Sequence, residues 1–254
     1  MGAVLINQPA GLGDILFTIK IGCHFHQKGF RVIWPTSPAY KCLRGRVKTN
    51  QIEFYSLEDS FPFKKEFEEL SSSNISEVIL YKKKILYAPV TRGFYSQAAQ
   101  LIDGYERSNM FGKYAMCGLD PSSWQDYFSL NRDQKKENEL FSELEIEKPY
   151  HLVNLRFGSP PEWEVYLNKD IKTPNDLQRV EIKLKKNYNV FDWAKVIEEA
   201  VKIDTVATST PFLFEALDLK CKPTIHSRNK TSNEALENFK LMKEIYKKDY
   251  RYEV

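Results

Sequence analysis

The sequence predicts an α/β protein with two Rossmann-like domains, each a parallel sheet flanked by helices. In both halves of the chain, short apolar segments of strand length alternate with segments whose apolar residues recur at helical spacing. The dipeptide Lys148-Pro149 is the best linker candidate between the halves, which predicts domains of residues 1–148 and 149–254. A chain of 254 residues is long enough for two small hydrophobic cores.

The clearest part of this pattern lies at the start of the chain. Residues 3–6 are apolar and of strand length, and one proline and two glycines then break the run. Apolar residues recur at helical spacing over 15–25, and Gly29 is a suitable stop. Residues 30–34 predict a second strand, so strand, helix and strand form a right-handed parallel crossover.

Further elements follow with less regular spacing. In the first half we expect strands at 77–81 and 85–88 and helices at 96–105 and 134–144. Residues 158–179 contain three prolines and predict a long loop near a site or a sheet edge. The other elements of the second half are strands at 150–156, 202–207 and 223–226, and helices at 190–201 (with Asn189 as a possible N-cap), 208–219 and 233–248.

The composition favours a globular protein without a nucleic-acid or membrane partner. Hydrophobic residues make up 42% of the chain, which argues against a largely disordered chain, and the formal net charge is only +3. We recognise neither a signal peptide nor an apolar run of transmembrane length, so we expect a soluble, cytoplasmic protein. Neither a disulfide framework nor a cysteine zinc site is expected, because the cysteines are far apart in the sequence: Cys23, Cys42, Cys117 and Cys221.

The loop Gly11-Leu12-Gly13-Asp14 is the first candidate for chemistry, because it lies between a predicted strand and a predicted helix. Glycines there let the backbone approach a ligand, and the start of a helix favours an anion or a polar group. The spacing fits neither the dinucleotide fingerprint nor the P-loop. A generic strand–helix turn is the alternative interpretation.

The segment from Gly11 to Phe17, continuing to Gly22, resembles the opening motif of α-1,2-fucosyltransferases. The Gly13-Asp14 pair also resembles the start of the ADP-heptose:lipopolysaccharide heptosyltransferases. Both families are inverting, metal-independent glycosyltransferases of the GT-B architecture, in which two Rossmann-like domains face a cleft. The resemblance implies a glycosyltransferase that moves a sugar from a GDP-, UDP- or ADP-linked donor to a hydroxyl of a glycan or glycoconjugate.

The resemblance also implies roles for the two halves. Residues 1–148 would bind the acceptor and residues 149–254 the nucleotide-sugar donor. Asp14 matches the heptosyltransferase aspartate and is the candidate catalytic base, and Gly11, Leu12 and Gly13 would form the loop beside the acceptor.

Arg156 lies at the end of the first predicted strand of the second half. It matches the arginine of a fucosyltransferase segment that contacts the donor diphosphate, with Asn154 in place of that segment's histidine. The planar guanidinium suits phosphate oxygens, and ligands of α/β proteins bind at the carboxyl ends of strands. A surface arginine in a salt bridge is the alternative.

A third segment resembles the strand–Ser/Thr–helix unit that binds the donor pyrophosphate in GT-B enzymes. Its hydroxyls, with the N–H groups of the helix start, would bind an anion without a metal, although Ser209 or Thr210 could equally cap the helix. The candidate donor-binding residues here are Thr208, Ser209 and Thr210, with Glu215 placed to reach a ribose hydroxyl and His226 placed near the nucleotide. A solvated glutamate and a structural histidine are the alternatives for the last two.

No Asp-x-Asp motif stands at a predicted strand end, so we expect no metal and no other cofactor. Two alternatives to a glycosyltransferase stay open. One is a sugar-nucleotide epimerase or hydrolase on the same scaffold. The other is a non-catalytic nucleotide- or carbohydrate-binding protein.

Overall fold

The computed structural model describes residues 2–49, 51–95, 109–147, 149–158, 165–183, 185–228 and 232–254. The chain divides into two compact units, Met1–Ser129 and Leu130–Val254. Each unit contains a five-stranded sheet, and helices flank the sheets. The predicted α/β class with parallel sheets is therefore confirmed.

In the first unit the sheet has the order β4-β2-β1-β6-β5, in which β5 runs antiparallel to β6 and the other neighbours are parallel. The elements in chain order are β1 (Ala3–Ile6), α1 (Leu12–Gln27), β2 (Arg31–Thr36), α2 (Leu43–Arg46), β3 (Val47–Lys48), β4 (Ile52–Ser56), α3 (Lys64–Ser71), β5 (Ile79–Tyr81), β6 (Ile85–Ala88) and α4 (Asn109–Ala115), with β7 (Ser129–Leu130) at the boundary between the units. Short 3-10 helices occupy Pro38–Tyr40, Val90–Tyr95 and Trp124–Tyr127.

Helices cover both faces of this sheet. On one face Phe67 of α3 joins a cluster with Leu5 and Ile33. On the other face α1 comes so close to β2 and β4 that a Cβ at Gly22 would lie 2.6 Å from Cδ1 of Ile52. β1 lies in the middle of the sheet and is buried throughout, as expected for a parallel strand covered on two sides.

In the second unit the sheet has the order β11-β8-β12-β13-β14, and all neighbours are parallel. The elements in chain order are α5 (Gln134–Glu143), β8 (Tyr150–Asn154), β9 (Arg156–Phe157), β10 (Val165–Tyr166), β11 (Gln178–Glu181), a 3-10 turn (Val190–Trp193), α6 (Ala194–Glu199), β12 (Lys202–Val206), α7 (Thr210–Phe214), β13 (Thr224–His226), α8 (Ser232–Ile245) and β14 (Arg251–Glu253). β9 and β10 pair separately as an antiparallel ribbon.

The division between the units falls before α5, earlier than the Lys148-Pro149 linker. Arg132 explains the difference, because its guanidinium pairs with Glu137 of α5 and with Glu198 of α6. Glu137 is buried and Glu198 is on the helix that follows β11, so these ion pairs attach α5 to the second unit.

Several predicted boundaries change. The helix predicted to run to residue 219 ends at Phe214, and the one predicted at 190–201 begins with a 3-10 turn, which the side chain of Asn189 caps. β11 and β14 were not predicted. The predicted helix at 96–105 lies outside the described residues. Within the described part of the chain, no helix is both long enough and apolar enough to span a membrane.

Candidate functional site

The predicted loop of the first unit lies at the carboxyl end of β1, where ligands bind in parallel α/β sheets. Gly11 has a φ of 78°, in the left-handed region, and its carbonyl accepts the first helical hydrogen bond from the N–H of Ile15. Its own N–H donates to the hydroxyl of Tyr40 at 3.3 Å. Leu12 and Gly13 are buried in the first turn of α1, so only the half-buried Gly11 stays available as a loop residue beside an acceptor.

Asp14 forms an ion pair that the sequence did not predict. Its Oδ1 lies 3.0 Å from Nζ of Lys113 on α4, and the side chains are 37% and 5% exposed. Lys113 also donates to Oε1 of Gln8, which follows β1. The candidate base is thus held on its inner side by a buried ammonium, while its outer side is open to solvent.

In the second unit, two of the predicted donor segments meet at the carboxyl edge of the sheet. β8 and β12 are neighbours there, and Asn154 at the end of β8 connects the segments that follow them. The amide of Asn154 donates to the hydroxyl of Thr210 at 2.9 Å and to that of Thr205 at 3.2 Å. Its oxygen accepts the backbone N–H of Arg156 at 3.4 Å. Asn154 therefore fixes Arg156 relative to the start of α7.

The predicted hydroxyl residues divide into two kinds. Thr210 is buried, and its hydroxyl accepts from Asn154, so it supports the site from inside. Thr208 and Ser209 are half-buried and stay candidates for contact with a ligand. Ser209 does not cap α7 through its side chain, because the side chain makes no cap hydrogen bond to the helix.

Glu215 has a structural role in place of the predicted contact with a ribose hydroxyl. Its carboxylate accepts the backbone N–H of Lys247 at 2.9 Å and of Lys248 at 3.4 Å, and the hydroxyl of Tyr250 at 2.6 Å. Burial and the Glu215 carboxylate raise the pKa of the Tyr250 hydroxyl, which keeps it a donor. Glu215 thus holds in place the segment that connects α8 to β14.

His226 also turns inward, as part of a buried network. Its Nε2 lies 2.7 Å from Oδ1 of Asp204, and Nε2 of His151 lies 2.6 Å from Oδ2 of the same carboxylate. Burial raises the pKa of the Asp204 carboxyl, but the hydrogen bonds from the two imidazoles and the nearby Lys202 ammonium lower it by more, so it lies well below its usual range. An ionised carboxylate only accepts, so both imidazoles donate to it through Nε2–H.

The outer nitrogens of both imidazoles also have partners. Nδ1 of His151 lies 3.0 Å from the hydroxyl of Thr173, and Nδ1 of His226 lies 3.1 Å from Nζ of Lys169. Both donors come from the loop that follows β10. His226 is 1% exposed, so the predicted contact with the nucleotide is not supported.

Three of these residues were missed by sequence reasoning. His151 lies in a short, mostly apolar strand, and Asp204 follows Ile203 in the middle of another short strand; an ionisable group at such a place is a signal that a buried partner exists. Lys113 gives no such signal, because its partners Gln8 and Asp14 are about a hundred residues away.

Over the residues that the structure describes, no group of three or more His, Cys, Asp or Glu side chains is arranged to hold a metal ion. The expectation that donor binding needs no metal is a separate statement about the reaction and stays a prediction.

The chain is similar in structure to two solved glycosyltransferases. One is the bacterial iron-containing dodecameric glycosyltransferase TibC from enterotoxigenic E. coli H10407, with 10% sequence identity and a TM-score of 0.48 over 89% of this chain and 57% of that one. The other is the E. coli heptosyltransferase WaaC with ADP-2-deoxy-2-fluoro heptose, with 14% identity and a TM-score of 0.41 over 95% of this chain and 99% of that one. No family model and no curated protein matches the chain.

This chain therefore spans 57% of the length of TibC. WaaC is by its name a heptosyltransferase. The resemblance to α-1,2-fucosyltransferases stays a prediction, and the roles of individual residues rest on the contacts of this chain alone.

We expect Asp204→Asn to lower the free energy of unfolding at pH 7 by about 3 kcal/mol, because the amide sets an N–H against an imidazole N–H inside a buried network. The pKa of Asp204 is depressed, so its contribution is fully present above the unfolded-state pKa of about 3.9 and is lost as pH falls through the folded-state value. The difference from wild type, measured by thermal unfolding between pH 7 and pH 2, should therefore shrink below about pH 4. The exposed Asp218→Asn is the control, and a pH-independent difference would contradict the assignment.

We expect Glu215→Ala to lower the free energy of unfolding by about 1–3 kcal/mol, because two backbone N–H groups and the Tyr250 hydroxyl lose their acceptor. Affinity for nucleoside diphosphates should not change, because the carboxylate is used inside the protein. Calorimetric unfolding and titration measure the two effects, with exposed Glu244→Ala on α8 as the matched control. A loss of affinity without a loss of stability would restore Glu215 to the donor site.

Proposed function

We propose that this protein is an inverting, metal-independent glycosyltransferase that moves a sugar from a GDP-, UDP- or ADP-linked donor to a hydroxyl of a glycan or glycoconjugate. One observation is the main support: Asn154 holds Arg156 and the start of α7 together at the carboxyl edge of the second sheet. That edge is where α/β proteins bind ligands, and its side chains suit a diphosphate.

The donor would bind through this edge. In the proposed complex the guanidinium of Arg156 would donate N–H groups to phosphate oxygens, and the hydroxyls of the half-buried residues Thr208 and Ser209 would add donors without charge. When the bond to the sugar breaks, negative charge grows on the leaving diphosphate, and a fixed cation stabilises that charge. The buried hydroxyl of Thr210 keeps the segment in place through Asn154.

The acceptor would meet Asp14 in the first unit. Asp14 receives the proton of the acceptor hydroxyl, the acceptor oxygen forms a bond to the anomeric carbon, and the bond from that carbon to the diphosphate breaks with its electron pair on the leaving group. The outer side of the Asp14 carboxylate is open enough for this contact, since the side chain is 37% exposed.

We place this activity in the cytoplasm. All four cysteines are free thiols, which fits a reducing compartment. Burial raises the pKa of the Cys23 thiol to about 11 and that of Cys117 to about 12, so these two thiols stay protonated and unreactive.

We expect Asp14→Asn to lower turnover by about two to four orders of magnitude, the range for a positioned general base, while donor affinity stays unchanged. The asparagine oxygen still accepts from Lys113, so the fold is preserved. The donor is first chosen by thermal shift from GDP-, UDP-, ADP-, CMP- and dTDP-linked sugars, because a ligand of the native state raises the melting temperature. Nucleotide release is then measured, and near-normal turnover in a folded variant would reject the base role.

We expect Arg156→Ala to weaken binding of the nucleoside diphosphate about 10- to 150-fold and that of the nucleoside hardly at all, because only the diphosphate gives the guanidinium a partner. Calorimetric titration of both ligands measures the difference. Arg251→Ala is the matched control, since Arg251 is exposed at the amino end of β14. Equal, small losses for both ligands would leave Arg156 a structural residue and Thr208 and Ser209 as the phosphate contacts.

We expect EDTA to leave donor affinity and turnover unchanged, because an arginine and hydroxyls, rather than a metal ion, face the diphosphate in this proposal. Both quantities are measured with EDTA and again after manganese is added. Complete loss on chelation and recovery with manganese would overturn the metal-free mechanism. Binding without any turnover in either condition would favour a non-catalytic nucleotide-binding protein.

A further inference from the structure

Lys113 carries a buried positive charge, since the residue is only 4% exposed. A buried ammonium is costly unless charged or polar acceptors surround it. Two acceptors come from the region of the candidate base: Oδ1 of Asp14, at 3.0 Å, and Oε1 of Gln8. The Asp14 carboxylate is thus one of the two acceptors that the buried ammonium requires.

Both supports of this ammonium are themselves fixed. The side-chain amide of Gln8 donates to the carbonyl of Ala10 at 2.5 Å, and the backbone carbonyl of Gln8 accepts the indole N–H of Trp34 at 3.0 Å. On α4, the hydroxyl of Tyr114 donates to the carbonyl of Phe17, and the two rings pack edge to face at 5.0 Å. Gln8 and the part of α4 that carries Lys113 are therefore each held by contacts of their own.

The position of the second carboxylate oxygen follows from this arrangement. A Cβ added to Gly11 would lie 2.4 Å from Oδ2 of Asp14, so Oδ2 occupies the space that a side chain at position 11 would fill. With Oδ1 taken by Lys113, Oδ2 is the oxygen on the side of the loop that follows β1.

We propose that Lys113 is the positioning residue for Asp14: it binds Oδ1 and thereby presents Oδ2 to the acceptor hydroxyl. The inference rests on the proposed function, in which the acceptor proton passes to Asp14 while the bond from the sugar to the diphosphate breaks. Lys113 itself touches neither substrate. Its effect on the rate comes from fixing the geometry of the proton transfer, to which rates are sensitive.

The test is a double-mutant cycle on nucleotide release from the sugar nucleotide selected by thermal shift. We expect Lys113→Met to lower kcat about 10- to 100-fold with little change in KM for the donor, because a misplaced base affects the chemical step. Lys113→Arg keeps the charge and should recover most of the rate. In the Asp14→Asn background, Lys113→Met should cause no further loss, because the group that it positions is gone. Lys113→Gln replaces Lys113→Met if the latter does not fold.

Lys20→Met is the matched control, because Lys20 lies on α1 and donates to the carbonyls of Asp120 and Ser122 at 2.7 and 2.6 Å. It tests the loss of a structural lysine and should leave kcat unchanged. The proposal is overturned if Lys113→Met retains full kcat, or if it lowers kcat equally with and without Asp14.

Other results would reject the proposed function without deciding whether Lys113 positions Asp14. If Asp14→Asn retains wild-type turnover, or if no sugar nucleotide is turned over, the base role fails, and the cycle is then measured by melting temperature. Non-additive shifts support the pairing of Lys113 with Asp14, and additive shifts overturn it.

Discussion

The carboxylate of Asp204 lies in the middle strand of the second sheet, where it is 4% exposed, and an anion at such a place needs donors on every side. Imidazoles from both neighbouring strands supply them, so β8, β12 and β13 are joined by side chains as well as by the backbone ladder. Thr173 and Lys169 then satisfy the outer nitrogens, which places the loop after β10 against the sheet. The buried carboxylate of Asp204 thereby links three strands to one another and, through the two imidazoles, to the loop after β10.

The first unit also contains a buried charge that needs partners, but this charge is positive. Its buried cation is Lys113, and the acceptors that it requires come from Gln8 and Asp14, at the end of β1 and the start of α1. In the second unit the side chains of the network have their partners inside the protein, and we expect their effect to be on stability. In the first unit one of the acceptors is the candidate base itself, so the proposed mechanism couples the burial of the lysine to the geometry of the reaction.

The proposed donor site is smaller than the sequence predicted. Of the predicted donor residues, Thr210, Glu215 and His226 use their side chains within the protein. Arg156, Thr208 and Ser209 stay the proposed contacts to a diphosphate. Asn154 has no predicted contact with the ligand, yet it fixes the backbone on which the contacts depend. In this proposal the site is small, and its specificity for phosphate rests mainly on the guanidinium of Arg156.

The sequence by itself determined the α/β class, the strand–loop–helix opening and the two segments that meet at the second sheet edge. These depend on local periodicity and on glycine and proline, which act over a few residues. Only the tertiary structure decided that Glu215 and His226 face inward, that α5 belongs to the second unit, and that Lys113 pairs with Asp14. Each of these depends on a charged or polar group finding a partner on a distant element, and no local pattern encodes which partner the fold will bring near.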